Sequence, residues 1–200
     1  PAGQFTTGVG IDISNGLNGS PAGDCSTQIR ANRIFDQPTN ITITNIANTG
    51  RACRPRIYSN LMWGSETQID ATACSPWIVN NSMTLPFNMS EGSNGRGIDY
   101  CDAGSPECVT IANNIIWQVQ SGALCSAADI TLIYDPGITT VIVENNDIED
   151  GGVVINPIVT DPCVPMFNCN NAVTLFAALP TGFAGNISVD PQFVFTAITQ

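Results

Sequence analysis

Five segments of the chain share one six-residue pattern, apolar-x-x-Asn-x-apolar. They are Ile29-Arg30-Ala31-Asn32-Arg33-Ile34, Ile57-Tyr58-Ser59-Asn60-Leu61-Met62, Ile78-Val79-Asn80-Asn81-Ser82-Met83, Ile111-Ala112-Asn113-Asn114-Ile115-Ile116 and Val143-Glu144-Asn145-Asn146-Asp147-Ile148. The aligned asparagines Asn32, Asn60, Asn81, Asn114 and Asn146 are 28, 21, 33 and 32 residues apart. A pattern returning at this period constrains the chain to a solenoid, in which stacked units bury a core that no unit could bury alone. The asparagine is expected where one short strand bends into the next, because Asn tolerates the left-handed backbone region. Bends stacked at strand spacing would align these amides in a hydrogen-bonded ladder. The apolar flanks, such as Ile78 and Met83, would then point into the core.

Short β-segments dominate the rest of the chain. Thr39-Asn40-Ile41-Thr42-Ile43-Thr44 and Thr139-Thr140-Val141-Ile142-Val143 are rich in β-branched residues, which favour strands. The 18 glycines and 13 prolines punctuate nearly every interval and leave few stretches for helices. The best helical candidate runs from Asn171 to Leu179 and ends at Pro180, although a strand followed by a turn fits it equally well.

A chain of 200 residues with 43% apolar content suits one domain with a real core. It has no Lys and no His; its six cations are Arg30, Arg33, Arg51, Arg54, Arg56 and Arg96. Residues 1–96 hold six acids against six arginines, whereas residues 97–200 hold eleven acids and no base, which accounts for the net charge of −11. Such a balance argues against nucleic acid as a partner, since phosphate neutralisation needs a cationic surface. An acidic half concentrates cations or attracts a neutral or basic neighbour. Without His, nucleophilic triads of the usual form are excluded. No apolar run reaches the roughly 20 residues of a membrane-spanning helix.

Eight cysteines and no CxxC pair favour disulfides in an oxidising compartment over a zinc ribbon. Cys25, Cys53 and Cys74 each lie four residues before the first apolar residue of a repeat, and Cys108 lies three before. Stacked positions about 4.8 Å apart suit a disulfide. The offsets therefore predict Cys25–Cys53 and Cys74–Cys108 as staples between neighbouring coils, with Cys101–Cys125 at comparable later positions. Cys163–Cys169 follows by elimination. Sequence alone does not fix the pairing. The start at Pro1, without an initiator Met or a signal peptide, reads as a processed secreted chain or an excised segment of a longer one.

Several stretches resemble the right-handed parallel β-helix repeat proteins of the pectate-lyase-like superfamily, secreted and surface types. They are Ser75 to Met83, Gly95 to Cys101, Asn113 to Trp117, Val143 to Gly152 and Gly185 to Val194. The resemblance implies an all-β, right-handed parallel β-helix, with an N-terminal lead-in or edge segment at 1–24, coils over 25–195 and a tail at 196–200. It implies fold more than function, because such coils carry lyases, glycosidases, adhesins and surface-layer components.

No convincing catalytic constellation is present. Lyases of that superfamily use Lys or Arg as a base; here Arg96 alone lies near acids, Asp99 and Asp102. Asp147, Glu149 and Asp150 cluster as glycosidase carboxylates would, but also as a solvated turn would. No metal ligand set matches a known signature and no cofactor is implied. A structural calcium could be held by Asp99, Asp102 and Glu107, or by residues 144–150. Sequons at Asn18, Asn40, Asn80, Asn88 and Asn186 are glycosylation candidates for a secreted glycoprotein. Trp63, Trp77 and Trp117 are core residues or, where exposed, stacking platforms for carbohydrate.

The sequence thus leads to an extracellular or cell-surface structural protein, a segment of a filament, sheath or stalk. Open strand edges at its coil ends would pair with copies of itself or with the rest of a longer chain. The alternatives are a carbohydrate-binding or polysaccharide-cleaving domain and an adhesin passenger segment.

Overall fold

The computed structural model describes residues 8–15, 26–35, 37–45, 53–65, 67–84, 96–102, 107–117, 129–135, 137–148, 153–157, 173–174 and 183–189. Among these are seventeen strands and no helix. A long sheet contains β1 (Val9–Asn15), β4 (Thr39–Asn45), β7 (Thr67–Thr72), β10 (Arg96–Cys101), β13 (Ile130–Tyr134) and β16 (Val153–Pro157), all parallel. The antiparallel β17 (Val173–Thr174) is its last strand. A second parallel sheet stacks β2 (Gln28–Arg30), β5 (Arg56–Tyr58), β8 (Trp77–Val79), β11 (Cys108–Ala112) and β14 (Thr140–Glu144). A third stacks β3 (Arg33–Phe35), β6 (Leu61–Trp63), β9 (Ser82–Thr84), β12 (Ile115–Trp117) and β15 (Asp147–Ile148). The chain visits the three sheets in turn, so each circuit is one rung of a parallel β-solenoid.

The register explains why the repeat specifies this fold. Ile29, Ile57, Ile78, Ile111 and Val143 align across the second sheet, and Ile34, Met62, Met83, Ile116 and Ile148 across the third. These are the two apolar positions of the pattern, and all ten side chains are buried. The long sheet contributes Ile41, Ile69, Ile98 and Ile130 in one column, and Ile43, Ala71, Tyr100 and Leu132 in the next. Because strand side chains alternate, each column faces inward along the whole stack.

The bend between the second and third sheets differs from the expectation in one respect. The left-handed residues are Ala31, Ser59, Asn80, Asn113 and Asn145, with φ of 54 to 57°. Each precedes the aligned asparagine by one position. A single left-handed residue is enough to turn the chain, and it delivers the following side chain into the bend. Four of the five asparagines, Asn60, Asn81, Asn114 and Asn146, are therefore buried inside the corner.

β1 lies within residues 1–24 and forms the edge of the long sheet. Of the helical candidate at 171–179, the described residues, Val173 and Thr174, are strand; the others lie outside the described residues. No two cysteines are joined to each other among the described residues, so the expected staples do not enter the account of the fold.

Candidate functional site

Each buried asparagine of the corner does the same four things. In Asn81, Oδ1 accepts from the backbone N–H of Asn60 and from its Nδ2, both at 3.0 Å. Its own N–H and Nδ2 donate to Oδ1 of Asn114, both at 3.0 Å. Its Nδ2 also donates to the carbonyl of Ile57 at 2.9 Å, and its carbonyl accepts from Ile115 N–H at 2.9 Å. The chain of bonds runs from Asn32 through Asn60, Asn81, Asn114 and Asn146 to Asn186. Burial is thus fully compensated, as a buried amide requires.

Asn186 is a sixth member that the hexapeptide pattern missed, because Ser188 replaces its final apolar residue. The readable signal was Gly185-Asn186: Gly185 has φ +69° and continues the column of left-handed residues. A Cβ at Gly185 would meet Oδ1 of the Asn145 side chain at 2.2 Å, so a larger residue there requires that side chain to move, in addition to the cost of its positive φ. The ladder has a direction, since every N–H and Nδ2 donates toward the C-terminal neighbour. Its ends are open to solvent: Asn32 is exposed and Asn186 half-buried.

The cysteines divide differently from the expected pairs. Cys74 and Cys108 are free, which corrects the pairing Cys74–Cys108. Thr110 aligns with Trp77, so Cys108 falls beside Ser75, whose Oγ accepts from Cys108 N–H at 2.9 Å. Cys74 is one residue out of step, and in a strand one residue reverses the face. Cys74 is buried in the core and Cys108 is exposed. Burial, with Glu107 and Asp70 nearby, pushes the Cys74 thiol well above its usual range. Cys53 and Cys101 are not free thiols. Cys25, Cys125, Cys163 and Cys169 lie outside the described residues.

The outer face of the long sheet carries a group the sequence reading did not find. Asp12, Thr42, Asp70, Asp99 and Thr131 align in one row across the strands. The available signal was the Ile-Asp dipeptide at Ile11-Asp12, Ile69-Asp70 and Ile98-Asp99. Asp99 is ion-paired to Arg96. Asp70 has no such partner in its strand; burial, and then the negative charge of Asp99, raise its pKa to about 6 against the lowering effect of Arg96.

The expected calcium set does not come together. Asp99 faces outward, while Asp102 is buried and accepts from Asp135 N–H at 2.7 Å and from Thr139 Oγ1 at 3.0 Å. Glu107 accepts from Ser75 Oγ. Burial raises the Glu107 pKa, a shift opposed by that hydrogen bond. Among the described residues no three acidic or thiol side chains could hold one ion. Asp147 accepts from Val189 N–H at 2.9 Å; Glu149 and Asp150 lie outside the described residues.

Of the sequons, Asn40 is fully buried and its amide donates to Gln68 Oε1 and the Trp63 carbonyl, a second polar stack at another corner. Asn80 is exposed at its bend. The Asn186 amide is used by the ladder, and Asn18 and Asn88 lie outside the described residues. Trp63 stacks on Phe35 with centroids 4.5 Å apart. Trp117 is half-buried, and Trp77 stands exposed on the second sheet. No helix among the described residues is long and apolar enough to cross a membrane. Comparison with protein-family models, with curated proteins and with solved structures finds no match for this chain.

Proposed function

We propose that the chain is an extracellular structural protein, a right-handed β-helix segment of a filament, sheath or surface stalk that associates end to end with another copy. The observation that carries this reading is the polarity of the asparagine ladder. At one end the exposed Asn32 offers an Oδ1 that accepts from no described residue; at the other, Asn186 N–H donates to no described residue, while its Nδ2 spends one hydrogen on the Val143 carbonyl and keeps one for a further acceptor. The two ends are complementary. A copy added head to tail would extend the ladder by the same bonds that hold it internally, and such a contact does not close.

Two further features support the reading. Val9 and Phe35 near the first rung, and Ile187 and Val189 near the last, are exposed apolar side chains. The exposed Arg30 and Arg33 belong to the first rung, and Glu144 and Asp147 lie one step inside the terminal 183–189 segment, so the two ends differ in charge. A right-handed coil agrees with the strong bias of parallel β-connections. The pairs Cys25–Cys53 and Cys101–Cys125 belong to this proposal, and such disulfides would suit a location outside the cell. A glycan at Asn80 would project from the exposed bend.

Light scattering of the purified chain tests the proposal. Mass should rise with protein concentration and fall back in Asn186→Leu. A chain that stays monomeric up to its solubility limit would sink it.

A second reading, a glycan-cleaving solenoid, is favoured by the neighbouring carboxylates of Asp70 and Asp99. Adjacent strands place them about 4.8 Å apart, near the roughly 5 Å separation of retaining glycosidases. Asp70 holds a proton that an acid could give, and Asp99 is ion-paired to Arg96. Product analysis on neutral polysaccharides, with Asp70→Asn and Asp99→Asn as controls, decides it; equal products from all three proteins would mean contamination.

A further inference from the structure

The outer face of the second sheet bears a hollow of about 330 Å³ lined by Arg54, Arg56, Ser75, Pro76, Trp77, Cys108 and Thr110. It sits in the arginine-bearing half of an otherwise acidic chain. Charge at this distance acts locally, because screening fades it over about 8–10 Å.

Three observations define what the hollow suits. First, Arg54 and Arg56 are exposed and make no ion pair among the described residues. Arg54 precedes β5 and Arg56 begins it, with the buried Pro55 between them, so both face out. Glu107 lies close enough to act on Arg54 electrostatically but is itself bonded to Ser75, so the rim retains a surplus of about one positive charge, counted from two guanidiniums and one carboxylate. Second, Trp77 lies between Arg56 and Thr110 in the register and is 43% exposed. Its indole is braced by Tyr58, with centroids 6.1 Å apart and planes tilted by 60°. Tyr58 is held in turn, donating its hydroxyl proton to Gln28 Oε1 at 3.0 Å and accepting from Arg30 at 3.4 Å. Third, the free Cys108 thiol and the Thr110 hydroxyl complete a polar wall.

We propose that this hollow binds a monoanionic ring compound, its carboxylate on the forks of Arg54 and Arg56 and its ring face against the Trp77 indole. A guanidinium fork matches a carboxylate in two parallel hydrogen bonds, and an exposed, braced indole offers a flat apolar face at little entropic cost. The volume holds a single substituted six-membered ring and little more. A uronic acid residue and an aryl carboxylate share this chemistry.

Cys108 provides the reporter. Its alkylation by iodoacetamide, followed by peptide mass spectrometry of the native full chain, should slow saturably with glucuronate or benzoate. The neutral counterparts glucose and benzamide should leave the rate unchanged. Arg54→Gln with Arg56→Gln should weaken protection about tenfold or more while leaving the urea midpoint in place. Stronger protection by glucuronate would assign a saccharide ligand, and stronger protection by benzoate an aromatic acid. The proposal is overturned if neither acid protects, if the neutral compounds protect equally, or if the double variant is protected as well as the parent. Equal protection by inorganic sulfate would overturn the role of Trp77.

Discussion

Asp99 lies directly beside Asp70 in the parallel ladder of β7 and β10, on the outer face of the long sheet. Two carboxylates one strand apart cannot ionise with equal ease. Arg96 is ion-paired to Asp99, and Asp70 is left partly buried and short of a cation. The pair is thereby split by its surroundings into one acid that is ion-paired and one that holds its proton to about pH 6.

That split sets an unusual pH dependence. The Asp70 pKa is 3.8 when unperturbed and about 6 in the fold, so the folded state binds the extra proton. Its contribution to stability is full below pH 3.8 and is lost as pH rises through 6. After allowance for solvent screening the loss is about 1–2 kcal/mol. Asp70→Asn should abolish this part of the profile and raise the melting temperature at pH 7.5. Calorimetry at pH 4.5 and 7.5 checks it, and an unchanged difference between the two pH values would contradict the assignment.

The ladder should be much more sensitive in its middle than at its end. Asn81→Ala leaves the Asn60 N–H without its acceptor and takes the side-chain donor from the Ile57 carbonyl inside a closed corner. A loss of about 3–5 kcal/mol is expected. Asn32→Ala, at the exposed first position, should lose under about 1 kcal/mol. Urea unfolding of both variants measures the contrast, and equal losses would mean that the amides do not act as a buried chain.

The left-handed column offers a gain. Ser59 has φ 57°, a conformation that costs an L side chain. Ser59→Gly should stabilise by about 0.5–1 kcal/mol, and Ser59→Val should destabilise by more, since a β-branched residue tolerates that region worst. Denaturation midpoints at constant slope report both effects.

The two free thiols should respond oppositely to a neutral alkylating reagent. Cys108 should react in the native protein, and Cys74 only after unfolding, because it is completely buried. Native-state labelling of Cys74 would show that the core opens at that rung.

The apolar positions of the hexapeptide were enough to read the solenoid, because columns such as Ile57–Ile78 and Met62–Met83 follow directly from the repeat. The left-handed position was assigned one residue late. The residue types there, Ala31, Ser59, Asn80, Asn113 and Asn145, mix asparagine with Ala and Ser; only the backbone angle unites all five. The Cys74–Cys108 pairing failed for a related reason. A spacing counted along the chain does not reveal the face, and a single step out of register placed one thiol in the core and the other in solvent. The Asp70–Asp99 pair went unnoticed because 28 intervening residues separate members that adjacent strands bring side by side. The hollow beside Trp77 likewise joins residues from three strands, β5, β8 and β11, together with the segments leading into them.

Successive ladder asparagines are separated by 28, 21, 33, 32 and 40 residues, yet the hydrogen bonds between them scarcely vary in length. The ladder therefore fixes the pitch of the molecule while leaving its girth unspecified. Insertions between strands can thicken one circuit without lengthening the axis. Duplication of a whole circuit adds about 4.8 Å and makes a new ladder step from parts already present. A lineage of such chains can vary in loop content and in length as two separately inherited quantities.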